Sequence, residues 1–142
     1  MFRIFYSEKD ATLYETLPDS NTGLDEILEI GKRIEASGDN WLRSRSLVKF
    51  DMAEIQSTLA KYGTTLDNCK FMLQLFTSHA KNLPDSYTIN AHIAYDSWVN
   101  GTGFENSYPI VTDGVSWKYP SSGSAWTTAA DISEGVKATG SL

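Results

Sequence analysis

The sequence predicts a mainly β chain in which antiparallel strands build two facing sheets, with one short amphipathic helix and long loops rich in aromatic residues and glycine. Three observations carry this expectation. Period-two alternation of apolar and polar residues recurs in several short segments, and helical spacing occurs in one stretch, about residues 52–62. From Asp96 onward the composition turns to Gly, Ser, Thr, Trp and Tyr, the residues of ordered loops pinned by large rings.

The first third reads as short strands between polar turns. Asp10-Ala11-Thr12-Leu13-Tyr14-Glu15 alternates, and Pro18-Asp19-Ser20-Asn21-Thr22-Gly23 supplies the turn chemistry that stops it. Glu26-Ile27-Leu28-Glu29-Ile30 fits a strand or a helical turn on periodicity, and Gly31 ends it so soon that a strand is favoured. In the segment 44–50, Ser46, Val48 and Phe50 share one face, Arg45, Leu47 and Lys49 the other, with Val48 and Phe50 expected in the core.

Helix signals come next. Asp51 stands three residues before Glu54, a box-like cap, and Met52, Ile55, Leu59 and Tyr62 make one apolar stripe that Gly63 closes. Such a helix is expected to cover one end of the sheets or an unpaired edge.

Lys70-Phe71-Met72-Leu73-Gln74-Leu75-Phe76 is apolar at nearly every position and is expected to be a central strand covered on both faces. After a turn at 82–86, residues 87–95 alternate most cleanly, with Tyr87, Ile89, Ala91, Ile93 and Tyr95 facing inward. A short strand is expected at 114–119. The stretch 127–142 offers only Ile132, Val136 and Leu142 as sizeable apolar groups and is not expected to supply a core strand.

Length and composition bound the rest. A chain of 142 residues holds one domain, with a core that needs no metal or disulfide. We place that domain at 1–126 and treat 127–142 as an extended C-terminal segment that a partner chain could hold. The net charge is −6, and the positive residues are scattered, which leaves no footprint for a phosphate backbone. Nucleic acid is therefore not an expected partner. No apolar run approaches membrane-spanning length and the start lacks a secretory leader, so the expected route outside a cell is lysis or release within a particle. Cys69 is the only cysteine, which excludes an internal disulfide, and its apolar surroundings suit a small buried hydrophobe.

Catalytic chemistry needs convergent groups, and the sequence offers few. His79 falls in an expected loop and His92 on the polar side of an alternating strand, neither beside a nucleophile or acid partner. The acids Asp10, Glu15, Asp25, Glu26, Glu29, Asp51 and Glu54 are better explained as solvated faces and helix caps than as a glycosidase pair, and no EF-hand spacing is present. Neither a Walker loop, GxSxG nor GxGxxG occurs. The expectation is a protein that is not an enzyme, with no catalytic, cofactor or metal residues.

The remaining candidates are aromatic. Trp98, Trp117, Tyr119 and Trp126, with Tyr108 nearby, have two readings. They pin glycine-rich loops to the sheets, or they present ring faces for stacking on a sugar or for contact with another subunit.

Several of these strings together resemble a known pattern. Asp10-Ala11-Thr12, then Asn21-Thr22-Gly23, then Ser44-Arg45-Ser46-Leu47-Val48-Lys49-Phe50-Asp51 resemble the DNRLRE-type β-sandwich module, and Val115-Ser116-Trp117 is similar to a later element of it. Within that likeness, Glu8-Lys9-Asp10-Ala11-Thr12-Leu13-Tyr14, Asn21-Thr22-Gly23-Leu24-Asp25-Glu26-Ile27-Leu28-Glu29 and Gly114-Val115-Ser116-Trp117-Lys118-Tyr119 look like virion proteins of T4-like tailed phages of marine bacteria. The resemblance implies a noncatalytic, jelly-roll-like antiparallel β-sandwich, working as a decoration, neck or tail protein in a virion. Its partners would be other virion subunits, a second copy of itself, or a host glycan. Family members usually end on a further core strand, which this sequence is expected to lack or to obtain from a neighbouring chain.

Overall fold

The computed structural model describes residues 2–38, 40–80, 85–127 and 136–141. The described residues contain five strands, β1 (Ser7–Tyr14), β2 (Gly31–Ile34), β3 (Trp41–Phe50), β4 (Ser86–Ala91) and β5 (Val136–Ser141), one α-helix, α1 (Met52–Lys61), and a single 3-10 turn at Leu66–Asn68. They form a three-stranded antiparallel sheet in the order β1-β3-β2 and a two-stranded antiparallel sheet of β4 and β5. The chain is thus mainly β with one short helix.

β3, the longest strand, is central, paired with β1 along one edge and β2 along the other. Its hairpin with β2 turns at Gly38, whose φ of 83° lies in the left-handed region that glycine adopts without strain. The Glu35 carboxylate accepts from Ser37 Oγ and Asn40 Nδ2 within that turn.

The β1–β3 register decides which face becomes core. Ala11 lies opposite Leu47 and Leu13 opposite Arg45, and Ala11, Leu13, Trp98 and Val115 form the buried apolar cluster, with Leu47, Trp117 and Trp126 packed against it. The inward residue of β3 is therefore Leu47, in place of the expected Val48 and Phe50. Alternation identifies two faces without saying which is covered, and here the loops carrying Trp98 and Val115 cover the Leu47 face.

The opposite face is covered by the segment between β1 and β2. Thr22 Oγ1 donates to Thr12 O, Glu29 N donates to Thr12 Oγ1 at 3.0 Å, and Ser46 Oγ donates to Glu29 O at 3.1 Å. These side-chain bonds hold residues 22–30 across β1 and β3 without a strand ladder. The strand expected at Glu26–Ile30 is accordingly absent, and Gly31 begins β2 instead of ending a strand.

α1 matches its sequence cues. Asp51 Oδ1 accepts from Ala53 N at 2.8 Å and Glu54 N at 3.3 Å, and Gly63 follows with a φ of 62°. Ile55 is buried and Leu59 half-buried, while Met52 and Tyr62 stay exposed. Arg3 lies over the Tyr62 ring at 4.9 Å.

Three further expectations are corrected. Residues 70–76 form no strand among the described residues; the side chains on both faces are exposed. The inward alternation expected through Tyr95 stops with β4 at Ala91, and only Tyr87 and Ile89 of its set are half-buried. The short strand expected at 114–119 is a bent segment, because Ser116 N turns back to Tyr119 O and Lys118 N reaches Pro18 O. The stretch 136–141, not expected to supply a core strand, pairs with β4 in the separate two-stranded sheet, from Ser86↔Ser141 to Ala91↔Val136. Main-chain hydrogen bonds suffice for a ladder even where few apolar side chains are available. Of the turn expected at 82–86, residues 82–84 lie outside the described residues, as do Ile132 and Leu142. Cys69 is half-buried and free.

Candidate functional site

The aromatic loops are positioned by one buried amide. Asn21 follows β1 in the turn Ser20-Asn21-Thr22-Gly23 and has no exposed surface. Its Nδ2 donates to Asn100 O at 2.6 Å and Val115 O at 2.8 Å, and its Oδ1 accepts from Gly103 N at 2.8 Å and Gly23 N at 3.2 Å. All four hydrogen-bonding positions of the amide are thereby used. Two loops distant in sequence, 98–107 and 111–120, are tied to the end of β1 through this side chain. Asn21 N adds a bond to Val111 O, and Asn100 Nδ2 closes the ring by donating to Gly23 O at 2.6 Å.

Glycine is required around it. A Cβ on Gly23 would lie 2.0 Å from Asn100 O, one on Gly103 2.2 Å from Asn21 O, and one on Gly114 2.5 Å from Gly101 Cα. The backbones therefore approach more closely than any side chain permits.

With the loops fixed, the four aromatic candidates separate. Trp98 is only 7% exposed and packs on Ala11, Leu13 and Val115, with Lys9 Nζ 4.3 Å from its ring centroid and donating to its carbonyl oxygen. Burial, followed by the neighbouring Lys49, holds the Lys9 ammonium below the usual lysine range. Trp117 is half-buried beneath Arg45, 4.9 Å from guanidinium to ring centroid, and Trp126 Nε1 donates to Ser116 O at 3.3 Å. Tyr119 is half-buried; its main-chain N donates to Ser116 Oγ within the bend. The structure thus gives Trp98 a place in the core, and leaves parts of Trp117, Tyr119 and Trp126 at the surface. Tyr108 is fully exposed.

The loop ends are held by polar staples. Asp113 accepts from Thr102 N at 2.9 Å and Thr102 Oγ1 at 2.7 Å, and Asp96 accepts from Thr127 N at 2.9 Å and from Thr127 Oγ1. Lys118 Nζ reaches Asp19 at 2.8 Å, which raises its pKa chiefly through that hydrogen bond. The Thr102 hydroxyl, then its amide, hold the Asp113 carboxyl below its ordinary value of 3.8. A group whose folded pKa is depressed stabilises above the unfolded value, and that contribution disappears as pH falls through the folded value. We expect Thr102 amide protection to persist at pH 4 and to be lost on further acidification, as read by hydrogen exchange. In Thr102→Val the Asp113 titration should move back toward 3.8.

A recess of about 350 Å³ lies beside this knot, lined by Tyr14, Asp25, Glu26, Ile27, Glu29, Phe104, Glu105 and Asn106. Burial first, then the charges of Glu29 and Glu105, push the Tyr14 phenol well above the ordinary tyrosine range. Neither histidine contributes to this lining, and both His79 and His92 are exposed. Among the described residues no group of three or more His, Cys, Asp or Glu is placed to hold a metal ion. No described helix is long and apolar enough to cross a membrane.

The largest unsatisfied feature is apolar. Phe71, Met72, Leu73, Leu75 and Phe76 are each more than half exposed, Met72 and Phe76 at 81% and 85%, and Ile93 and Tyr95 add further exposed surface. Residues 70–80 make no hydrogen bond with another described residue through backbone or side chain. Sequence reasoning missed this because an apolar run announces a strand that wants cover, without saying whether its own chain supplies it. By sequence Asn21 reads as a turn former; the one available cue was an Asn beside Thr-Gly at 21–23 and again near Thr-Gly in Asn100-Gly101-Thr102-Gly103.

Compared with family models, curated proteins and solved structures, the chain matches none.

Proposed function

We propose that this chain is a non-enzymatic structural protein of a tailed-phage virion, a head-surface, neck or tail component that works through contacts between subunits. The observation that supports this most directly is the exposed segment 71–76, together with Ile93 and Tyr95. Exposed apolar side chains in such number mark protein contact surfaces, and a segment whose main chain has no partner among the described residues adds the groups by which strands join. In an assembled particle a neighbouring subunit covers both. On this reading the two sheets belong to a jelly-roll-like sandwich completed in the assembly, in line with the resemblance of the 44–51 string to the DNRLRE-type module. The loops tied by Asn21 then act as a rigid collar, since fixed loops lose little entropy on contact.

The test is a purified particle. Mass-spectrometric inventory of virions should find the chain in a fixed copy number, and a reconstruction should place 71–76 against another subunit. Absence from virions, or a copy in the particle touching no other subunit, would overturn the reading.

A further inference from the structure

We propose that residues 71–76 pair antiparallel with the same segment of a second copy of this chain, across a two-fold axis at Leu73. The inference rests on the assembly reading for the use of this segment as a contact, and it names the partner. Four observations on the segment converge on a second copy.

The first is self-complementarity. With Leu73 opposite Leu73, Phe71 falls opposite Leu75 and Met72 opposite Gln74. One face of the ribbon then carries Phe71, Leu73 and Leu75 from each copy, a uniform apolar set, because residues directly opposite in an antiparallel pair share a face. A two-fold contact is the commonest way for identical chains to associate, and it requires a patch that matches itself.

The second is charge. Each copy carries a net charge of −6, yet residues 71–80 contain no Asp, Glu, Lys or Arg. Two acidic chains can approach here without setting like charges against one another. The flanking Lys70 falls opposite Phe76 in this register, so the two lysines sit at opposite ends of the ribbon.

The third is backbone. Among the described residues, 70–80 have no hydrogen-bonded partner, so no bond within the described structure competes with a ladder there. The fourth is area. Five large apolar side chains, each more than half exposed, offer on the order of 500 Å² per copy, and covering all of it on both sides meets the ~1,000 Å² lower bound of a specific interface.

Sedimentation equilibrium of the full chain should give twice its 15.8 kDa mass. Leu73→Lys places two ammonium groups face to face and should weaken the dimer on the order of 100-fold. The side chain is exposed, and unchanged circular dichroism and melting would show that the fold survives. In a Cys69→Ser background, Leu73→Cys should cross-link copy to copy on oxidation, whereas Thr77→Cys, far from the axis in this register, should not. A chain that stays monomeric at the highest soluble concentration, or equal cross-linking at 73 and 77, would overturn the proposal. If that monomer is found in particles with 71–76 against a different protein, self-pairing fails while the assembly reading stands. A dimer linked through 73 but missing from virions would uphold the pairing and remove the virion role.

Discussion

Replacing Asn21 with Asp is expected to lower folding stability by ~3 kcal/mol or more, from the loss of paired buried groups, although the two side chains have nearly the same shape. The amide gives two hydrogens to the carbonyls of Asn100 and Val115 and accepts two from the amides of Gly103 and Gly23. A carboxylate keeps the acceptor side and sets an oxygen against two carbonyl oxygens at 2.6 and 2.8 Å spacing. Such an acid favours its protonated form, because only then does it donate to one of those carbonyls. Its folded pKa therefore rises, and the deficit should narrow as pH falls from neutral toward the ordinary carboxylate range. Urea denaturation at several pH values measures both effects. Asn21→Ala should cost a similar amount without the pH dependence, and comparing it with Asn21→Asp isolates the role of charge. A variant as stable as the parent would show that the loops are held by other contacts.

Gly114→Ala is expected to destabilise by about 3 kcal/mol, the upper end for forcing an extra carbon into a packed interior. Its new Cβ would lie 2.5 Å from Gly101 Cα, 2.6 Å from Asn100 O and 2.6 Å from Asn21 Nδ2. Two of those three atoms are backbone and the third belongs to a side chain fixed by four hydrogen bonds, so none can step aside cheaply. The 98–107 and 111–120 loops must separate, and the environment of Trp98 and Trp117 must change with them. Near-ultraviolet circular dichroism should therefore change in parallel with the denaturation midpoint. Gly38→Ala provides the contrast. Gly38 holds a left-handed φ of 83°, but a Cβ there meets nothing within 4 Å, so only the backbone strain of about 1 kcal/mol remains.

Both substitutions test the same assertion, that a polar joint rather than a large apolar core holds the aromatic loops in place. The buried apolar cluster is small, Ala11, Leu13, Trp98 and Val115, whereas Thr12, Ser20, Asn21, Thr22 and Ser116 are buried beside it. Stability in such a structure depends heavily on the partners that Thr12, Asn21 and Thr22 find, which is why single-atom changes at the joint matter more than the loss of a surface contact. The exposed Lys118–Asp19 pair illustrates the other extreme, since ion pairs in solvent contribute little.

Legibility followed range. At several places the determinants lie within a few residues of one another: the Asp51 cap and Gly63 stop bracket α1, and local alternation marks β1 and the second half of β3. At Glu26–Ile30 the local pattern favoured a strand, but Thr12 and Ser46 supply hydrogen bonds that no ladder provides. At 70–76 the pattern was equally clear and the outcome opposite, because cover for an apolar run must come from elsewhere. The weak composition of 136–141 gave no hint of β5, whose pairing with β4 is made by the main chain. Among the aromatic candidates, ring chemistry marked Trp98, Trp117, Tyr119 and Trp126 as a group, while only packing separated the buried Trp98 from the part-exposed others.

By itself the sequence determined that this protein is mainly β, where its helix starts and stops, and that its second half runs through glycine-rich aromatic loops, because each of these follows from neighbours along the chain. Tertiary structure alone decided that Leu47 faces the core, that Asn21 joins loops far away along the chain, and that the apolar run at 71–76 lies open. Those outcomes depend on which distant backbone groups and surfaces come together, and periodicity carries no record of the partner.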